Sequence, residues 1–151
     1  MKDFESVNDI LDFAIENEQK AVDFYNHLAT SARNDDMRKT FEQFAREEMG
    51  HKAKILNIKE QGILSFSKAD VADLKIADYI VRAESETEVT YEQALVLAMK
   101  REKAAFKLYL KMSEKAPTVD IKSLFLALAQ EESRHKLRFE IEYDDYFLKE
   151  N

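Results

Sequence analysis

Apolar residues recur along four stretches of the chain in alternating steps of four and three. The first seam reads Val7, Leu11, Ala14, Glu18, Ala21, Tyr25, Leu28, Ala32, and the second Met37, Phe41, Phe44, Glu48, His51, Ile55, Ile58. The third reads Tyr91, Leu95, Ala98, Glu102, Ala105, Tyr109, Met112, Ala116, and the fourth Ile121, Phe125, Leu128, Glu132, His135, Phe139, Tyr146. Such steps return side chains to one helix face every 3.5 residues, so each seam predicts a helix packed along its length. Helices are expected over about 6–32, 36–61, 91–116 and 119–147.

Local signals agree with these bounds. Ser6-x-x-Asp9 and Thr90-x-x-Gln93 read as capping boxes, Asn34 or Asp35 can cap the second helix, and Gly62 and Pro117 stand where helices should stop. The first two helices, like the last two, are separated by only a few residues, so each pair is expected to be antiparallel. Residues 62–90 form a 29-residue connection. A 26-residue helix is about 39 Å long, which such a connection can cross, so the second and third long helices can run parallel. Leu74, Ile76, Tyr79 and Ile80 are candidates to pin it down, as a short helix, and the acidic stretch 83–88 reads as solvated loop.

At an offset of 84 residues the third seam repeats every position of the first, and the fourth repeats most positions of the second. Glu18, Ala21, Tyr25, Phe41, Ala45, Glu47, Glu48, His51 and Lys52 recur identically at Glu102, Ala105, Tyr109, Phe125, Ala129, Glu131, Glu132, His135 and Lys136. The chain therefore reads as one all-α domain, residues 1–151, built from two copies of a helical hairpin.

Composition narrows the function. Two glycines and one proline in 151 residues exclude an all-β fold. The absence of cysteine removes disulfides, thiolate nucleophiles and cysteine-bound metal centres. A net charge of −7 with no basic stripe argues against nucleic acid, and no apolar run is long enough to suggest a membrane span. The N-terminal residues lack the apolar stretch of a secretion signal, so a cytoplasmic location is expected.

Six ionisable residues occupy seam positions: Glu18, Glu48, His51, Glu102, Glu132 and His135. A single glutamate or histidine in a seam usually snorkels to water or finds one hydrogen bond. Six at matched repeat positions ask for a common cause. In Glu-x-x-His the two side chains are neighbours on one helix face. Four carboxylates buried together would each cost several kcal/mol, or protonate, unless cations neutralise them. Two divalent ions bring the required +4. Oxygen and imidazole donors without sulfur suit iron or manganese better than copper or zinc. If Glu48 and Glu132 bridge while Glu18 and Glu102 chelate, each ion keeps an open position for oxygen or peroxide. One Glu from each of two helices and Glu-x-x-His from each of the other two is the donor set of ferritin-like di-metal carboxylate bundles.

At these residues, and most closely in ENEQKAVDFY and FAREEMGHKAK, the sequence resembles the rubrerythrin family of the ferritin-like superfamily. The resemblance implies a ferritin-like four-helix bundle with two iron ions per chain that react with hydrogen peroxide or oxygen. It also implies a rubredoxin-like or other external reductase as partner, since this chain has no cysteine for the family's rubredoxin-type iron. Rubrerythrins usually carry a further glutamate one turn beyond Glu102, where this chain has Ala105, matched by Ala21. That makes the expected centre nearly symmetric, as in bacterioferritin. Met49 stands where bacterioferritin has a haem-ligating methionine; it is read as a packing residue, and haem is not expected.

Around the ligands, Tyr25 and Tyr109 are expected to hydrogen-bond the ligand carboxylates. Glu47 is expected to accept from His135, and Glu131 from His51, because a ligating imidazole must donate from its other nitrogen. His27, Lys52 and Lys136 are read as surface residues. The leading functional expectation is a peroxidase or oxidase, working as a homodimer in oxidative-stress defence. The alternatives are a ferroxidase of the iron-storage type and a metal-free helical interaction module.

Overall fold

Ser6 opens the first helix as its sequence suggests. Its hydroxyl accepts from the Asp9 N–H at 3.3 Å, and the Asp9 carboxylate accepts from the Ser6 N–H at 3.2 Å. The computed structural model describes residues 6–81 and 90–150. The chain divides into two compact units, Met1–Ile76 and Ala77–Asn151, each holding one copy of the repeat. The N-terminal residues 1–5 and the acidic stretch 83–88 lie outside the described residues.

In the first unit, α1 (Val7–Thr30) and α2 (Asp35–Gln61) pack on each other across a four-residue link and so run antiparallel. Asn34, rather than Asp35, caps α2: its side-chain oxygen accepts from the Met37 N–H at 2.9 Å. Gly62 ends the helix in the left-handed region at φ 61°, where a residue without Cβ is unstrained. Every residue of the predicted α2 seam is buried, and Leu11, Ala14, Glu18, Tyr25 and Leu28 are buried on α1. The buried face of α1 is wider than the seam and takes in Ile10, Val22, Phe24 and Ala29. Two lysines on α2 reach back to α1: Lys59 donates to Asp12 at 2.5 Å and Lys52 to Gln19 at 2.7 Å. Lys52 is thus half-buried rather than a simple surface charge, and so is Lys136, which pairs with Glu140.

The connection contains more helix than its sequence position suggested. Ser67 and Asp70 form a capping box that starts α3 (Lys68–Leu74), and a 3-10 turn follows over Ile76–Tyr79. Val71, Leu74 and Ile76 are buried, so this segment is pinned, but Ile80 is 37% exposed and takes no part.

The second unit repeats the hairpin. α4 (Tyr91–Glu114) starts from the Thr90–Gln93 capping box, and α5 (Val119–Glu150) packs against it across residues 115–118. Thr118 caps α5 by accepting from the Ile121 N–H at 3.2 Å. Leu95, Ala98, Glu102, Tyr109 and Met112 on α4 are buried, as are Ile121, Phe125, Leu128, Glu132, His135 and Phe139 on α5. The helix continues three residues beyond the expected end at 147.

Candidate metal sites

The α1–α2 packing carries Glu18 inward at the level of the Glu48–His51 turn of α2. All three side chains are buried, at 2%, 0% and 1% exposure. His51 Nδ1 lies 3.6 Å from Glu18 Oε2 and 3.6 Å from Glu48 Oε2. These separations are too long for hydrogen bonds and suit donors arranged round a shared cation. One potential ligand atom from each of the three residues lies within 4.8 Å of the others.

The α4–α5 hairpin builds the same cluster. Glu102, Glu132 and His135 are all buried, with one potential ligand atom each inside the same 4.8 Å limit. His135 Nδ1 stands 3.7 Å from Glu102 Oε1. In both hairpins, then, Nδ1 is the imidazole nitrogen turned toward the carboxylates.

Electrostatics supports cation binding at the first cluster. Burial disfavours the His51 imidazolium, yet the Glu18 and Glu48 carboxylates outweigh it and push the pKa up to about 11. With no metal present, a proton supplies positive charge at this point. Two buried carboxylates and one imidazole per hairpin match hard, divalent, oxygen- and nitrogen-seeking ions. The residues present therefore fit the metal that the donor pattern implies.

The remaining predicted residues divide. Tyr25 and Tyr109 are fully buried, and their rings pack on Phe44 (6.4 Å between centroids) and Phe125 (6.2 Å). Glu47 and Glu131 are half-buried, one residue before Glu48 and Glu132. His27 is exposed, as expected. Met49 is not a packing residue within the described chain: it is 54% exposed, because its α2 position faces away from the seam.

A polar pair with one buried member was missed. Glu142 is completely buried and accepts from the Tyr91 hydroxyl at 2.8 Å. Its position, one step of three beyond Phe139, continues the α5 seam. The repeat partners of Tyr91 and Glu142 are Val7 and Ile58, so the first hairpin has two apolar residues where the second has a hydrogen-bonded pair.

The family model for rubrerythrin matches this chain over residues 9–93 and 93–151. The chain belongs to the rubrerythrin family. All six clustered Glu and His residues fall within the matched stretches. Membership makes the fold an all-α, ferritin-like one, in keeping with a described structure of helices without strands. It also implies a di-iron centre, for which the two Glu/Glu/His clusters supply suitable groups. Comparison with curated proteins and with solved structures found no match. No helix among the described residues is long and apolar enough to cross a membrane.

Proposed function

We propose that this rubrerythrin-family chain is a non-haem di-iron oxidoreductase that reduces hydrogen peroxide or oxygen with electrons from an external donor. The observation that carries the reading is the same buried Glu/Glu/His cluster built twice, once in each hairpin. The repeat supplies four carboxylates and two imidazoles, and +4 from two ferrous ions balances the four carboxylates without protonation. Bound there, two iron ions would each exchange one electron with the oxidant, matching the two electrons that convert one hydrogen peroxide and two protons to two waters.

The protein's own residues do the rest. Glu18, Glu48 and His51 of the first hairpin would hold one ion, and Glu102, Glu132 and His135 of the second hairpin the other. His51 and His135 would bind through Nδ1, the nitrogen turned toward the carboxylates, and donate from Nε2, and Glu47 and Glu131 are assigned as acceptors that hold the rings in register. Tyr25 and Tyr109 steady the carboxylates of Glu18 and Glu102, two turns away on the same helices. Burial keeps bulk water from competing for the metal.

The test is anaerobic loading with ferrous iron followed by peroxide. Oxidation of two ferrous ions per peroxide, with no superstoichiometric iron core, supports the reading. Continued uptake of hundreds of irons into a large shell, seen by gel filtration, would replace it with iron storage. Failure to bind iron at all would leave a helical interaction module.

A further inference from the structure

Glu142 is a buried carboxylate that the metal clusters do not use. It lies two helical turns beyond His135 on the same face of α5, a rise of about 10 Å, with the fully buried Phe139 between them. Burying a carboxylate is costly, and the first hairpin fills the positions matching Tyr91 and Glu142 with Val7 and Ile58. Packing alone therefore does not call for a carboxylate here. What Glu142 adds is a base. Its Oε2 accepts from the Tyr91 hydroxyl at 2.8 Å, within the reach needed to take that proton. The half-buried Tyr91 ring also packs against Tyr146, itself half-buried, with 5.2 Å between centroids. The repeat partner of Tyr146 is Gly62, so phenol, base and neighbouring ring all belong to the second hairpin alone.

A phenol that loses one electron becomes a strong acid, and it gives up that electron most readily where a hydrogen-bonded base stands ready for the proton. We propose that Tyr91, Glu142 and Tyr146 form a one-electron relay that removes stray strong oxidants from the interior of the second hairpin. A hydroxyl radical, the one-electron oxidant that escapes from peroxide chemistry, takes an electron from the Tyr91 phenol and leaves as hydroxide. The Tyr91 O–H bond breaks, and the proton forms a new O–H bond on Glu142. A neutral tyrosyl radical and a neutral carboxylic acid remain. A reductant of the thiol or ascorbate class then returns one electron by way of the Tyr146 ring, and the proton goes back from Glu142 to Tyr91. The origin of the oxidant rests on the peroxide chemistry proposed above; the relay itself needs no metal.

Light-driven oxidation of the full, metal-free chain tests the relay. A ruthenium tris-bipyridine sensitiser with persulfate supplies the oxidant, and electron paramagnetic resonance of rapidly frozen samples reads the tyrosyl radical. The chain has neither tryptophan nor cysteine to compete for the oxidation. The wild type should give a tyrosyl signal, and Tyr91→Phe should lose most of it. Glu142→Gln should lose most of it too. Glutamine keeps an oxygen that accepts from Tyr91 but cannot take its proton, so a purely structural hydrogen bond would leave the signal unchanged. Tyr79→Phe, in the 3-10 turn before the second hairpin, should keep the wild-type signal. Circular dichroism monitors folding, and Glu142→Gln decides the matter even if Tyr91→Phe fails to fold. No tyrosyl signal in the wild type, or a signal as strong as wild type in Tyr91→Phe or Glu142→Gln, would overturn the proposal. Because no iron is present, failure of the relay and failure of the di-iron reading are told apart.

Discussion

The Tyr91–Glu142 pair offers a measurable test of how the second hairpin tolerates a buried carboxylate. Tyr91→Phe removes one hydroxyl and leaves the ring, with its contact to Tyr146 at 5.2 Å, in place. The lost bond is short, at 2.8 Å, and its acceptor is fully buried. A hydrogen bond to a charged group contributes about 1.5–3 kcal/mol, so the variant should lose that much stability. Glu142→Ile copies the residue the first hairpin uses at the matching position, Ile58. It removes the buried carboxylate itself, so in the Tyr91→Phe background it should recover most of the loss. Urea unfolding of the wild type, both single variants and the double variant closes the cycle and isolates the coupling. A Tyr91→Phe change below about 0.5 kcal/mol, or additive single effects, would refute the reasoning.

Other outcomes follow from the clusters. In metal-free protein the His51 pKa is raised to about 11, against about 6.5 unfolded, so its stabilisation is present below pH 6.5 and is lost as pH rises towards 11. Metal-free wild type should therefore lose about 2–3 kcal/mol more between pH 7 and 9 than metal-free His51→Gln. Parallel pH profiles in urea unfolding would contradict this. Binding of ferrous iron at pH 7 should release about one proton from the same histidine into weakly buffered solution. Glu47→Gln and Glu131→Gln should each weaken iron retention about 10- to 100-fold while helix content is kept; unchanged retention against a competing chelator would defeat their assigned role. Asn34→Ala should cost about 1 kcal/mol through the lost α2 cap, read from thermal or urea unfolding.

Much of this was legible because several signals coincide in the sequence. The four long helices could be placed from heptad steps that end at Ser6, Asn34, Gly62, Thr90 and Pro117, where capping and chain stiffness act locally. The clusters were legible because a buried charge is costly, and the repeat places the same costly residues twice. What stayed hidden depends on relations beyond such local rules. The Ser67–Asp70 box has the same form as Ser6–Asp9, but the helix it starts has only seven residues and too little seam to register. Ile80 looked like a core residue, yet its side chain is exposed once the chain has turned through Ile76–Tyr79. Glu142 makes sense only beside Tyr91, 51 residues away. Met49 looks apolar in the sequence but faces away from the core, which only the fold reveals.

The central claim is that both hairpin clusters hold iron, and metal stoichiometry tests it most directly. Metal-free protein titrated anaerobically with ferrous iron, desalted and analysed for bound iron should retain two ions per chain. His51→Ala and His135→Ala should each lower retention, and together they should abolish it. Retention of two ions by the double variant, or none by the wild type, would contradict the account.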